Sequence, residues 1–266
     1  MHASAPLFAE LATWAARGQA FVLAVVTDTG GSTPRLAGAV MGICADGAVG
    51  TVGGGAFEQR VIQVAHALLA DASRRTATVD VHLVHELAMC CGGRMTAVLT
   101  RQEAVPRLWI YGAGHVGTAL APVALQAGFA VTVVDGRPEW AAPARFPPEV
   151  EVVDADPEDH VRSHPPSAED SVVVMTHSHP LDEVLIRHLA AVPRAYLGLI
   201  GSARKRIMFE KRLESQGLTA EQLAQVRCPV GLMIDAETPG EIAVSIVAEL
   251  VAVRRARGRL AARGEA

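Results

Sequence analysis

Two adjacent thiols, Cys90 and Cys91, stand directly before Gly92 and Gly93. Neighbouring side chains on one backbone seldom both point into a core, so one of the two is expected to be accessible. Thiolates are soft metal ligands and good sulfur nucleophiles, and the glycines would let a ligand approach the main chain closely. The competing reading makes both thiols inert small hydrophobes beneath a glycine turn. Cys44, inside an apolar strand, and Cys228, before Pro229, read as packing residues. Four cysteines so spaced build neither a disulfide framework nor a C-x-x-C zinc pair. A second cluster is Thr176-His177-Ser178-His179-Pro180-Leu181-Asp182. His177 and His179 with Asp182 form a metal half-site suited to zinc or iron. The further His and carboxylate ligands of a binuclear hydrolase are not evident, and a polar ligand loop or helix cap explains the same residues.

Three glycine-rich junctions could meet an anion. Gly112, Gly114 and Gly117 fit G-x-G-x-x-G between an apolar strand and an amphipathic helix. Asp135 closes the next strand about 20 positions later, where a ribose-binding acid is expected. Arg137, two residues on, would admit a 2′-phosphate, so NAD and NADP are not distinguished, and close packing of helix on strand explains the glycines without any ligand. Gly53-Gly54-Gly55 precedes a second apolar helix, with Glu58 in its first turn, where a carboxylate favours the helix dipole and caps the exposed amides. The stretch Thr27 to Arg35 concentrates hydroxyls, Gly30, Gly31, Ser32 and Arg35, which suits wrapping a polar ligand or forming a plain turn. The third junction, Gly198 to Arg206, joins a strand to a hydroxyl cap and clustered cations, an anion site or a solvated basic face.

These groups need a scaffold, and the pattern of apolar residues describes one. Leu7, Phe8, Leu11, Trp14 and Ala15 predict a first helix. Strands follow at 21–26, 38–44 and 48–52, the last two joined across Asp46-Gly47, and then at 76–83 and 95–99. Residues 101–107 separate two apolar systems. The reading is a small α+β domain over 1–100, followed by an α/β, Rossmann-like doubly wound parallel sheet domain over 107–266. In the latter, strands are expected at 108–111, 131–135, 150–153, 172–175 and 195–200, with prolines making 136–149 irregular. Thr238, Pro239 and Glu241 form a capping box at the start of a final helix, whose Ala/Arg-rich end beyond residue 254 is expected to fray.

Half of the 266 residues are hydrophobic and a fifth are charged, an ordinary globular profile. A net charge of −4 provides no field for nucleic acid. No apolar run is long enough to span a membrane, and the amino terminus lacks the pattern of a signal peptide. A cytoplasmic protein is expected.

Taken in order, Gly31 to Arg35, Gly50 to Gly55 with Glu58, Glu86 to Gly93, Gly112 to Gly117, Met175 to Asp182, Gly198 to Ser202, Cys228 to Leu232 and Thr238 to Glu249 resemble the motifs of the XdhC/CoxI family, the xanthine dehydrogenase accessory proteins. The resemblance runs over nearly the whole chain. It implies a chaperone that binds the molybdenum cofactor (molybdopterin), shelters it while a cysteine desulfurase helps install its sulfido ligand, and inserts it into apo xanthine dehydrogenase. It also implies a homodimer without turnover of its own. By the same resemblance the molybdenum end lies near Cys90 and Cys91, with Ser32, Arg35 and Glu58 around the ligand. An NAD(P)-dependent oxidoreductase using Asp135, and a metal-dependent hydrolase at His177 and His179, are the alternatives from other classes.

Overall fold

The computed structural model describes residues 5–71, 73–82 and 93–263. The chain divides into two compact units, Met1–Val105 with Arg257–Ala266, and Pro106–Ala256.

The first unit is built on an antiparallel sheet. Helix α1 (Ala5–Ala16) leads into β1 (Phe21–Gly30), β2 (Val40–Cys44), β3 (Ala48–Gly50), α2 (Gly55–Ala70), β4 (Thr76–His82) and β5 (Arg94–Gln102), and the strand order is β3-β2-β1-β5-β4. Alternation along β1 sends Val22, Ala24 and Val26 to one face, where Phe57, Val61, Ala65 and Leu68 of α2 cover them. Leu7, Leu11 and Trp14 of α1 pack instead with Phe21 and Cys44. Residues 27–30, expected as loop from their composition, continue β1. They pair with Arg94 to Thr96 across a bulge between Val26 and Asp28, because a partner strand supplies the hydrogen bonds that a turn would otherwise make locally.

The second unit has β6 (Arg107–Tyr111), α3 (His115–Gln126), β7 (Ala130–Asp135), β8 (Glu151–Asp154), α4 (Pro157–Ser163), β9 (Ser171–Val174), α5 (His179–Ala190), β10 (Tyr196–Leu199), α6 (Ala203–Ser215), α7 (Ala220–Ala224), β11 (Val226–Arg227) and α8 (Pro239–Arg263). All six strands are parallel, in the order β11-β10-β9-β6-β7-β8. Renumbered within the unit, this is the doubly wound 3-2-1-4-5-6 arrangement, whose switch point lies between β6 and β9. Leu120, Ala124, Ala243, Ile246 and Leu250 cover one face with α3 and α8, and Val161, Leu185, Leu189, Phe209 and Leu213 cover the other. The strands are therefore apolar on both sides.

Residues 136–149 are irregular as expected, with one 3₁₀ turn at Pro143–Arg145. The short α4 went unread in the sequence, although Asp156 caps it by accepting the Glu158 and Asp159 amides, with Pro157 in the first position. The capping box of α8 forms: the Glu241 carboxylate accepts the Thr238 amide at 2.9 Å, and the Glu241 amide donates to Thr238 Oγ1 at 3.3 Å. Beyond residue 254 the helix does not fray but runs to Arg263. Arg254 stacks over Phe129 at 4.7 Å and donates twice to the Ala127 carbonyl, which holds that turn. No helix among the described residues is long and apolar enough to cross a membrane.

Arg107 and Asp170 join the starts of β6 and β9 with paired hydrogen bonds of 2.9 and 2.7 Å, and the Trp109 indole and the Ser167 amide complete the shell of a carboxylate only 2% exposed. Burial pushes this carboxyl up, but the hydrogen bonds from Arg107, Ser167 and Trp109 outweigh it and hold it below its ordinary value of 3.8. Folded Asp170 therefore binds its proton less readily than unfolded Asp170. Its contribution to stability is complete above pH 3.8 and is lost as pH falls through the lowered value. Asp170→Asn is expected to lose about 2–3 kcal/mol at neutral pH and to flatten the acid limb of urea-denaturation midpoints measured against pH. A second expectation separates two glycines. A Cβ on Gly117 would lie 2.1 Å from the Gly112 carbonyl oxygen, whereas one on Gly114 meets nothing within 4 Å. Gly117→Ala should lose about 2 kcal/mol in urea denaturation, and Gly114→Ala should stay near wild type.

Candidate functional site

In the first unit, three chain segments meet at one end of the sheet. The loop after β1 is closed at its base, where Gly38 donates to Val26 and Val26 donates to Ala39. Its Pro34 and Arg35 lie against the glycine run before α2. A Cβ on Gly53 would fall 2.9 Å from Pro34 Cγ and 3.5 Å from Arg35 Cγ. Gly93, which opens the approach to β5, lies under the same loop, since a Cβ there would fall 2.5 Å from the carbonyl oxygens of Gly30 and Ser32. Gly93 is thus demanded by close approach of backbone to backbone, and Gly53 by the Pro34 ring packed against it. Gly53, Gly54 and Gly55 also all hold positive φ, of 134, 72 and 60°, which side chains resist.

Glu58 organises this junction. One of its oxygens, Oε2, accepts from Thr51 Oγ1, from the Val52 amide at 3.1 Å and from the Gly54 amide at 3.1 Å, while the Gly53 amide donates to Thr51 Oγ1. Burial raises its pKa, but the Thr51 hydroxyl and the Gly54, Val52 and Gly53 amides outweigh burial and hold the carboxyl below its usual range. Glu58 is an ionised clamp on the glycine turn, and Thr51, which the sequence reading passed over, is its partner. Ser32 is exposed and Arg35 half-buried on the facing loop. The first-turn amides of α2 have no intrahelical acceptor. A cation, a hydroxyl and main-chain donors therefore stand together, a set that suits a phosphate or another oxyanion. Glu86, Cys90 and Cys91 lie outside the described residues.

In the second unit, the loops at the carboxyl ends of β6 and β9 touch at the switch point. A Cβ on Gly112 would meet the Met175 carbonyl oxygen at 2.3 Å, and Met175 donates to the Tyr111 carbonyl at 2.8 Å. Gly112, Gly114, Gly117, Asp135 and the His177 loop are gathered here. Asp135 sits where the spacing placed it, but it faces inward and is 3% exposed. Its Oδ2 accepts the Ala113 amide at 2.8 Å and Arg137 Nη2 at 2.7 Å, and its Oδ1 accepts the Arg137 amide and Nε at 3.1 and 2.9 Å. Burial pushes the carboxyl up; the Arg137 side chain and the Ala113 and Arg137 amides pull it back below 3.8, and the same pair raises Arg137. The acid fastens the glycine loop, and each of its oxygens accepts two donors from the protein itself. Trp140 lies over this corner, with Arg145 at 4.3 Å and Arg137 at 5.0 Å from its ring centre and His115 edge-on to it.

The His-x-His loop is arranged in the same manner. His177 and His179 are exposed, while Asp182 is completely buried. Asp182 accepts the Thr176 amide and hydroxyl at 3.1 and 2.7 Å and Lys205 Nζ at 2.9 Å, with His179 Nδ1 at 3.7 Å. Among the described residues no three His, Cys, Asp or Glu side chains converge to hold a metal ion. Two of the three cations after Gly198 are likewise engaged: Lys205 also donates to the Ile200 carbonyl, and Arg206 bonds Glu210 and the Cys228 carbonyl. The sequence signal for Arg137 was its place two residues after Asp135. Lys205 was visible as one of a cluster of cations, but its pairing with Asp182 was not, because that partner is distant in the chain.

Residues 108–250 match the XdhC Rossmann domain, and residues 14–81 match the XdhC and CoxI family. Among curated proteins the chain is 34% identical over 257 residues, 93% of its length, to the uncharacterized protein YqeB of Escherichia coli K12. It is 36% identical over 159 residues, 59% of its length, to a probable xanthine dehydrogenase subunit of Bacillus subtilis 168. It is 25% identical over 148 residues, 56% of its length, to the molybdenum cofactor insertion chaperone PaoD of Escherichia coli K12. The matched segments span 46% of the length of each of the first two relatives and 40% of the third. A crystal structure described as a xanthine dehydrogenase from Bacillus halodurans superposes with a TM-score of 0.53 over 94% of this chain and 96% of that one. Identity is 23%, so that likeness is one of fold. With its parallel unit matched over most of its length and a relative 34% identical along nearly the entire chain, the protein belongs to the XdhC and CoxI family.

Proposed function

We propose that this chain takes part in xanthine dehydrogenase maturation as a carrier of molybdenum cofactor. It binds the molybdopterin form as cargo, shelters it while a cysteine desulfurase installs the sulfido ligand, and inserts it into the apo-dehydrogenase. It works in the cytoplasm as a homodimer, and turns over nothing itself. The observation that carries the reading is the junction in the first unit, where Pro34 and Arg35 lie against the glycine turn clamped by Glu58, with Ser32 on the same loop. Its donors suit the phosphate of the pterin, and similarity to an insertion chaperone supports that cargo. The two described cysteines, Cys44 and Cys228, are buried, so the soft-ligand role for the metal end belongs in this proposal to Cys90 and Cys91. When bound, the cargo brings a sulfur-ligated molybdenum centre; the protein's own groups orient its phosphate and exclude water.

The alternative, an NAD(P)-dependent oxidoreductase, has the doubly wound sheet and the uncovered Gly114 in its favour. Against it stands Asp135, whose oxygens are filled by Arg137 and Ala113. In a hydrolase at His177 and His179, Asp182 would have to leave Thr176 and Lys205.

Protein purified from cells that make molybdopterin should contain about one pterin per binding site, detected by fluorescence after oxidative release, and should activate apo-dehydrogenase. Tight binding and reduction of a nicotinamide coenzyme, with no pterin, would overturn the carrier role. Arg35→Ala should weaken pterin binding about tenfold, the loss of one charge-assisted contact. The double variant Cys90→Ala/Cys91→Ala should bind pterin but deliver less sulfurated cargo. Delivery at the wild-type level would remove the thiols from the proposal and leave Arg35 in it.

A further inference from the structure

The large apolar side chains that the second unit leaves exposed are concentrated in three places. Ile207 and Met208 of α6 are 57% and 49% exposed; Leu232, Met233 and Ile234, in the loop between β11 and α8, are 45%, 91% and 51%; Val244, one residue before the anchor of that loop, is 52%. Three consecutive exposed apolar residues are an unfavourable surface for a protein that stays alone in water.

The loop is held in place at both ends. The Gly231 amide donates to Glu249 at 2.8 Å, the Leu232 amide donates to the Ser245 carbonyl at 3.2 Å, and Ser245 Oγ donates back to the Leu232 carbonyl at 2.9 Å. On the far side, the Glu241 carboxylate accepts the Glu237 and Thr238 amides. Gly231 is required at the near end, since its φ is 96° and a Cβ would fall 2.2 Å from Ser245 Oγ. A tip fixed in this way loses little entropy when something covers it. Arg206, which donates to the Cys228 carbonyl, ties α6 to the start of the same loop.

Charge indicates what covers it. The apolar tip is followed by exposed Asp235 and Glu237. The apolar pair on α6 lies within an exposed stripe at helical spacing, Arg204, Ile207, Met208 and Lys211, with a cation at each end. The other three basic residues of α6 are already paired, Lys205 with Asp182, Arg206 with Glu210 and Arg212 with Glu183. One element is apolar with an acidic border, and the other is apolar with a basic border. A surface that carries both complements itself under a two-fold axis, which is what an isologous contact requires. The net charge of −4 makes copies repel overall, so attraction between them has to be local.

We infer that two copies of this chain pair through the second unit, the Leu232–Ile234 tip of each seated on the Ile207/Met208 stripe of the other, with Arg204 and Lys211 facing Asp235 and Glu237. The inference rests on the homodimer proposed above and supplies a surface for it. Sedimentation equilibrium of the full chain tests it, with circular dichroism to confirm that each variant is folded. Wild type is expected to be dimeric at micromolar concentration. Met233→Ser and Ile207→Ser should each raise the dissociation constant about tenfold or more. Lys211→Glu and Glu237→Lys should each weaken pairing, and the variant carrying both should regain it. A dimer unmoved by all four substitutions would overturn this surface and leave the homodimer standing. A monomeric wild type would overturn both and assign the face to a different protein.

Discussion

Among the described residues, four loops that follow strands are each fastened by a carboxylate reaching from a neighbouring element to a main-chain amide. Glu58 takes the Val52 and Gly54 amides, Asp135 takes Ala113, Asp182 takes Thr176 and Glu249 takes Gly231. Such loops run over a surface where water competes for each amide, and turns rich in glycine lose the most backbone entropy on ordering. An ionised acceptor makes a hydrogen bond roughly twice as strong as a neutral one. In all four the carboxylate is also met by a hydroxyl or a cation: Thr51 for Glu58, Arg137 for Asp135, both Thr176 and Lys205 for Asp182, and Tyr196 for Glu249. The charge is therefore satisfied where it is buried, which is the condition for a buried ion to stabilise rather than disrupt.

That constraint bears on what the parallel sheet can do. In a dinucleotide site the acid at the end of the second strand is free to receive a ribose hydroxyl. Here the position is kept and the role is changed, because Arg137 occupies Asp135 from its own turn and Ala113 occupies it from the glycine loop. Opening it for a ribose would take from Arg137 its carboxylate and from the Ala113 amide its acceptor. The fold is kept, while the acid at the ribose position is engaged by the protein's own donors.

The parts that could be read from the chain are those whose cause is local. The β6–α3–β7 unit was legible because the glycine spacing, the apolar stripe of the helix and the two flanking strands fall within some thirty residues. The cap of α8 was legible for the same reason, since Thr238 and Glu241 are three positions apart. What escaped was set by distant partners. Thr27 to Gly30 carries turn residues, yet β5 from some seventy positions away draws it into the sheet. The cations after Gly198 look like an anion site from their own sequence, and only Asp182 and Cys228 show that Lys205 and Arg206 are engaged. Glu58 fell between the two cases: its place in the first turn foretold a cap, but not that Thr51 and the preceding loop amides would share one oxygen.

A carrier and a catalyst ask different things of the same groups. Catalysis needs a titratable side chain poised near the working pH and free to exchange a proton with its substrate. In the described junctions Glu58 and Asp135 are held ionised well into acid, so at neutral pH neither accepts a proton readily. Carriage needs instead a preformed cradle that does not rearrange when its guest enters or leaves, since ordering on binding would subtract from affinity. Clamped glycine turns with Arg35 and Ser32 beside them meet that requirement: the recognising groups stay half-buried or exposed, and the clamps that shape the cradle do not titrate as the guest comes and goes. In the proposed role the same separation would let cargo be surrendered to a tighter-binding acceptor without unfolding of the donor, because nothing in the clamp depends on a guest for its hydrogen bonds.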